Sequence, residues 1–437
     1  MLKKIGNNSL KLGCEKNLQK YDVIVIGGGT SGMMAAISAS ENGAKVLLIE
    51  KNRKFGKKLL MTGGGRCNVT NSQSVEHLIE HIPGNGRFLY STFNQWNNQD
   101  IIQFFNQAGV QLKEEDHGRM FPTTDSSKTI VDCLITKLKE NHVELCMKTT
   151  VEKLIHDGRT IQGVRCDKGD FFAPSVIIAT GGKTYPSTGA TGDGYQLAKQ
   201  VKHQITPLYP TESPLISEAD FIQERTLQGL SLRDVQLTVL NQKGKTVTSH
   251  TMDLLFTHFG ISGPAALRCS SFVNQLLKKQ TPVIVELDCV PELTANQLNQ
   301  KIVQTLQKNE KKQVNNALKG LLPDRLLTFY LERLHLADLM SKQVTLKQID
   351  SLVNLIKAFQ IPIIRTFALE KSFVTGGGIS LKEINPKTLE SKKMMGLYAC
   401  GEVLDINGYT GGYNITAAFC TGHVAGMHAA QTALWQS

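Results

Sequence analysis

The 437-residue sequence predicts an α/β fold in which a parallel-sheet nucleotide-binding unit is interrupted by a second, inserted unit. Three observations predict it. An apolar run ends in glycines and opens into a small-residue helix; two later apolar runs end in glycines as well; and the stretch between those two shifts first to short alternating strands and then to helices. A chain of this length is also too long for one comfortable core.

Residues 1–20 are rich in lysine and asparagine and lack the continuous apolar core of a signal peptide, so they read as a polar N-terminal tail. Tyr21-Asp-Val-Ile-Val-Ile26 is nearly all apolar, as a strand buried at the centre of a parallel sheet must be. Met33 to Asn42 reads as a helix stopped by Gly43, and Ala44 to Glu50 as the next strand, which makes 21–50 one βαβ unit. Ser175 to Ala179 and Gly396 to Cys400 read as later strands of the same sheet. The expected organisation is a discontinuous nucleotide unit, 21–200 and 370–437, with an insertion over 201–369 that is mainly β to about 290 and mainly helical over about 291–360.

Nine cysteines without a C-x-x-C pair form neither a disulfide framework nor a zinc pattern, and a reducing, cytoplasmic setting fits them. No stretch approaches the roughly 18 uninterrupted apolar residues of a membrane-spanning helix. The net charge of +11 favours polyanions, but the insertion holds 19 Lys/Arg against 14 Asp/Glu, so the basic excess is shared and marks no dedicated RNA-binding segment.

Gly27-Gly-Gly-Thr-Ser-Gly32 supplies G-x-G-x-x-G directly after a strand and before a helix, and Glu50 stands eighteen residues beyond its last glycine. Gly27 permits the tight turn, Gly29 lets the backbone approach a pyrophosphate, and Gly32 lets helix and strand pack closely, with Thr30 and Ser31 joining the same cofactor-binding loop. Glu50 suits the ribose hydroxyls of an adenosine and repels a 2′-phosphate, which argues against tightly held NADP and leaves NAD and FAD open.

Two further strand-ending glycine clusters favour FAD, because an ordinary NAD-dependent enzyme does not need them. Thr180, Gly181 and Gly182 close the middle strand; Gly401 and Glu402 close the late one, followed by Gly408-Tyr-Thr-Gly-Gly-Tyr-Asn414 and a helix from about Ile415. A ribitol and an isoalloxazine lying along the sheet require such close backbone approaches, so Gly412, Asn414 and Ile415 join the set, and the helix N-terminus suits the negative charge of a reduced ring.

Lys51 to Lys58 holds five basic residues in eight, followed by Thr62-Gly-Gly-Gly-Arg-Cys-Asn68. Lys51, Lys58, Thr62, Gly63, Gly64, Arg66 and Asn68, with Val151, are candidate contacts to the cofactor, although a solvated loop is the plainer reading of the lysines. Cys67 is a candidate proton donor beside a flavin, set against the commoner role of a buried cysteine as an inert small hydrophobe. His258, in Phe256-Thr-His-Phe-Gly-Ile-Ser-Gly-Pro264, is a second candidate acid at the boundary of the two units. The sequence has no G-x-S-x-G, no Walker loop and no compact Cys/His spacing, so neither a hydrolase triad nor a metal site is expected.

Five strings resemble the YhiN-like flavoproteins, the family of the BaiN and RdsA reductases: Tyr21 to Gly29, Lys57 to Asn68, Thr191-Gly-Asp-Gly-Tyr195, Leu255 to Pro264 and Gly401 to Asn414. The resemblance spans nearly the whole chain. It implies a two-dinucleotide-type FAD domain, Rossmann in kind, with an inserted β-barrel-like domain and a small helical one. It departs from the family in the length of the extension before Tyr21 and in Asn407, which stands where many members carry an acid.

The family's members act on steroid enones, on uridine in large-subunit rRNA and, for some relatives, on amines, so the resemblance leaves the substrate open. The two reductases share a carbon–carbon double bond conjugated to a carbonyl, open to hydride at the β-carbon and protonation at the α-carbon. The leading expectation is an FAD-dependent oxidoreductase with transient NAD(P)H as donor and rRNA as partner. A small-molecule oxidase or reductase and a non-enzymatic FAD-dependent RNA-binding protein are its rivals.

Overall fold

The computed structural model describes residues 20–436, so the polar tail read over residues 1–20 lies, apart from Lys20, outside the described residues. Five parallel strands form the central sheet: β1 (Val23–Ile26), β2 (Val46–Glu50), β3 (Glu144–Met147), β4 (Ser175–Ile178) and β5 (Leu397–Ala399), in the order β5-β4-β1-β2-β3. β1 is paired on both sides, Ile24 lying between Leu47 and Val176, and all four of its side chains are buried. A strand flanked by neighbours and covered on both faces has no solvent side, which is why its sequence does not alternate.

Helix α1 (Thr30–Glu41) lies against the C-terminal helix Tyr413–Gln436. A Cβ at Gly422 would stand 2.4 Å from Ser31 O, and one at Gly426 would stand 2.2 Å from Ala35 O. Neither distance admits a side chain, so these two glycines set how closely the backbones approach. Ser38 and Ser175 tie the C-terminal helix further, donating from Oγ to His423 O (2.8 Å) and Ala429 O (3.0 Å). Leu397–Ala399 and the C-terminal helix thus complete a sheet begun some 370 residues earlier in the chain.

A seven-stranded antiparallel sheet occupies the middle of the chain, its longest strands Ser231–Leu240 and Thr246–Thr257. The segment Phe359–Thr366 supplies both outermost strands: Phe359–Ile363 bonds to Val283–Asp288 at one edge and Arg365–Thr366 to Leu215–Ile216 at the other. One short segment that bonds to both edges curls the sheet into a barrel-like form. Helices Ala295–Lys308, Asp324–Arg333 and Leu346–Lys357 cover it, the first and last opened by capping boxes at Thr294 and Thr345.

Buried apolar side chains fall into two clusters. One runs from Tyr21 to Val201 and resumes from Ile379 to Ala433; the other runs from Leu215 to Ile363. Among the described residues no helix is long and apolar enough to cross a membrane.

Candidate active site

A cavity of about 540 Å³ lies along the carboxyl ends of β1, β2, β4 and β5, where an open parallel sheet places its ligands. Gly27, Gly29, Thr30, Ser31, Glu50, Lys51, Lys58, Thr62, Gly63, Gly64, Arg66, Asn68, Val151, Thr180, Gly181, Gly401, Glu402, Gly412, Asn414 and Ile415 all line it. Gly32 and Gly182 do not: a Cβ on Gly32 would meet Gly27 O at 1.8 Å and one on Gly182 would meet Thr375 Oγ1 at 2.3 Å, so both glycines serve packing behind the wall.

On one side of the cavity Glu50 Oε2 accepts from Gly28 N (2.7 Å), while Oε1 accepts from Asn52 N (2.7 Å) and Asn52 Nδ2 (2.8 Å). The carboxylate thereby fixes the glycine turn as well as facing the cavity. Lys51 Nζ reaches Asp193 (2.5 Å), Lys57 Nζ donates to Ser187 O (2.7 Å), and Lys58 Nζ lies 2.8 Å from Glu402. Three of the five basic residues of the 51–58 run are therefore spent on internal partners, while Arg53 and Lys54 are exposed. The solvated-loop reading is corrected for those three, which fasten their loop to the rest of the wall.

Gly63, Gly64 and Gly65 follow one another at φ +57°, +66° and +90°, a left-handed run that only glycines take cheaply. Asn68 clasps this loop to the late one: its Nδ2 donates to Thr70 O (2.9 Å) and its Oδ1 accepts from Gly412 N (2.9 Å). Asn414 closes the late loop on itself, accepting from Gly408 N and donating to Gly408 O, both at 2.7 Å. The Arg66 guanidinium sits 4.2 Å from the Phe121 ring centre and also pairs with Glu115 at 2.9 Å. Phe373, half exposed, and Tyr185 face each other at 5.7 Å in the same wall, with Met61 exposed nearby.

The two candidate acids fall elsewhere. Cys67 is fully buried and is not among the cavity-lining residues; its backbone takes φ +63°, and burial pushes its thiol up to about 12. His258 is exposed in the hairpin turn between Thr246–Thr257 and Gly260–Ser262, packed edge-on to Phe259 and away from the cavity lining. The Gly-Ile-Ser-Gly-Pro string that drew attention to His258 instead ends that hairpin and starts the helix Pro264–Leu277.

Glu212, which no motif announces, does line the cavity. Its side chain is 3% exposed, its Oε2 accepts from Thr410 N at 2.6 Å, and burial pushes its carboxyl up to about 8. Arg268, on the helix Pro264–Leu277, donates from Nη2 to Thr410 O (2.9 Å), so one residue of the late glycine loop, Thr410, is gripped at both its N–H and its C=O. Thr180 Oγ1, in the cavity wall, is buried and has no partner among the described residues, the kind of orphan that a bound ligand satisfies.

Away from the cavity lining, His203 Nδ1 lies 2.9 Å from Glu383 and its Nε2 lies 2.7 Å from Ser391 Oγ, the spacing of a hydrolytic triad. The serine is buried, and its Oγ also accepts from Lys393 N and Met394 N at 3.0 Å, so the arrangement clasps three chain segments together.

The HI0933-like protein Rossmann domain model matches residues 21–428. The chain is 30% identical to a 3-dehydro-bile acid delta(4,6)-reductase of Clostridium scindens over 93% of this chain and 98% of that one. It is 30% identical to a ribosomal RNA dihydrouridine synthase of Escherichia coli over 92% and 96%, and 28% identical to one of Haemophilus influenzae over 94% and 98%. Among solved structures, the 3-ketosteroid delta1-dehydrogenase of Sterolibacterium denitrificans superposes with a TM-score of 0.53 at 14% identity, covering 94% of this chain and all of that one. The quinol fumarate reductase of E. coli superposes at 0.52 and 16% identity, covering 96% and 71%. Sequence, fold and cavity agree: the chain belongs to the HI0933-like Rossmann family, the YhiN-like flavoproteins, and is an FAD-dependent oxidoreductase.

Proposed function

We propose that the protein reduces a carbon–carbon double bond conjugated to a carbonyl, with FAD recharged by NAD(P)H, and that its substrate is a uridine of 23S rRNA, converted to dihydrouridine in the cytoplasm. When bound, FAD supplies the hydride that such a reduction requires. The residues present fit it. A Cβ on Gly29 or Gly181 meets nothing within 4 Å, so both glycines leave the cavity open where a pyrophosphate and a ribitol pass. Glu50 would meet the adenosine ribose, Thr180 Oγ1 a polar group of the linker, and the start of the helix Tyr413–Gln436 the negative charge on the ring.

The observation that carries the rRNA reading is the near full-length likeness to two ribosomal RNA dihydrouridine synthases. The cavity wall supports it: Arg66 stacked on Phe121, and the Tyr185–Phe373 pair, offer planar faces of the type on which unstacked bases rest. These side chains would hold an extruded uracil in place and keep water from it. A steroid-like enone is the second reading, favoured by the equally extensive likeness to the bile acid reductase.

Nucleoside analysis of 23S rRNA from cells with and without the gene decides between them. The expected result is loss of dihydrouridine in the deletion strain and its return when purified protein and NAD(P)H are added to the unmodified rRNA. Unchanged dihydrouridine in the deletion strain, with none added in vitro, defeats the rRNA reading.

A further inference from the structure

We propose that Glu212 is the proton donor of the reduction, a carboxylic acid that delivers its proton to the α-carbon of the conjugated bond; the proposal rests on the reductase reading above. Four structural observations carry it. Glu212 lines the cavity beside Thr410, Gly411 and Gly412, next to the loop that opens the C-terminal helix. Its backbone takes φ +49°, a left-handed conformation costly for a residue with a side chain, and such strain persists where the surroundings over-determine a position. Its Oε2 is committed as acceptor to Thr410 N, while Oε1 has no hydrogen-bond partner among the described residues. The acid proton therefore resides on Oε1, the oxygen left free for a substrate.

The groups around it keep it acidic without taking its proton. Arg268 grips the carbonyl of the same residue, Thr410, lies over the rings of Tyr409 (5.5 Å) and Tyr413 (5.9 Å), and makes no ion pair with Glu212 within 4 Å. Cys269 on the same helix and Tyr409 lie near enough to feel the charge of Glu212 and hold their own protons, the thiol raised by burial and then by the carboxyl, the phenol pushed up to about 12, chiefly by burial. One layer out, His81 stacks on Tyr413 and His250 packs edge-on to Tyr409, both at 4.9 Å, and burial lowers both imidazoles, so no charged histidine competes for the proton. Burial opposes ionisation of Glu212 more strongly than Thr410 N and Arg268 favour it.

The step balances. The β-carbon takes a hydride from the reduced flavin, the π pair moves onto the α-carbon and carbonyl as an enolate, and the Glu212 O–H bond breaks as the α-carbon–hydrogen bond forms. Two electrons come from the flavin and one proton from the carboxyl, which regains its proton from water.

The test compares wild-type FAD-loaded protein with Glu212→Gln in two measurements. In infrared difference spectra of substrate-free protein, a protonated-carboxyl band that shifts in D₂O is expected in wild type, absent from the variant and fading as pH rises past about 8. With unmodified 23S rRNA transcript and NAD(P)H, the variant is expected to turn over about a hundredfold more slowly or worse, while bleaching of its flavin by NAD(P)H keeps its rate. Absence of the band, or a variant that turns over at the wild-type rate, overturns the donor role alone. A wild-type protein that reduces neither the transcript nor a steroid enone overturns the reductase reading and the donor role with it.

Discussion

Two of the carboxylic acids that line the cavity, Glu50 and Glu212, are treated by the protein in opposite ways. Glu50 is 7% exposed and accepts three N–H donors, from Gly28 and Asn52, all in or directly after its own βαβ unit. Glu212 is 3% exposed and accepts one, from a residue 198 positions away in the chain. The three donors on Glu50 hold both of its oxygens in place, whereas Glu212, buried with a single donor, is pushed up to about 8 and keeps its proton at neutral pH. On the proposal made above, the Glu50 side recognises hydroxyls and the Glu212 side gives up a proton.

The largest effect should come from breaking the Glu50 side. Gly29→Leu places a side chain in open cavity space, so the protein should fold with its melting temperature little changed and yet purify without bound flavin. Gly32→Ala is the control that fails differently, because its methyl collides with Gly27 O and destabilises the fold by about 1–3 kcal/mol or more. Absorbance of the purified proteins and thermal melts separate the two. A yellow Gly29→Leu protein would mean that the pyrophosphate passes elsewhere.

A middle-sized effect should appear in stability against pH, with opposite signs for two buried groups. Glu212 lies near 8 in the folded chain against 4.5 ordinarily, so its contribution is full below about 4.5 and is lost as pH rises through 8. His250, lowered by burial and by Arg268 and His81 from 6.5 to about 4, contributes fully above about 6.5 and is lost as pH falls through 4. Melts from pH 4.5 to 8.5 should therefore show Glu212→Gln gaining on wild type toward alkaline pH and His250→Gln losing part of the acid slope. His423, also near 4, and the other lowered histidines, His77, His81, His203 and His428, maintain the remainder of that slope. Parallel curves for wild type and Glu212→Gln would show that the carboxyl is ionised in the folded protein.

The smallest effects belong to the two acids that the motifs suggested. His258→Ala should leave flavin content, turnover and stability unchanged, since the side chain is exposed in a turn. Cys67→Ala should lower stability by about 1 kcal/mol and turnover only slightly, because the thiol fills core space. A drop in kcat of about a hundredfold in either variant would reinstate that residue as a proton donor.

The difference between the two sides also marks how much was legible in the sequence. The glycine turn at Gly27, the acid at Glu50 and the helix that follows are set by neighbours within thirty residues, so spacing alone revealed them. Cys67 sits in a legible loop, but the left-handed turn at that residue directs its side chain into the core, and no spacing rule carries that information. Glu212 stands in Pro210-Thr-Glu-Ser-Pro214, a string with no motif, and becomes a site only when the late glycine loop folds over it. The lysines of 51–58 show why a charge run says little by itself: their partners, Asp193, Ser187 and Glu402, are scattered over the next 350 residues.

Gly422 and Gly426, which seat the helix Tyr413–Gln436 against α1, make the cavity depend on segments far apart in the chain. β5 and the helix that packs on Ser31 and Ala35 come some 370 residues after β1. Until they dock, β4 has an unpaired edge and the cavity lacks the wall that Gly401, Glu402, Gly412 and Asn414 supply. The site is thus only as durable as the seam between two helices, and a side chain forced in at Gly426, against Ala35, should loosen a wall that neither residue lines.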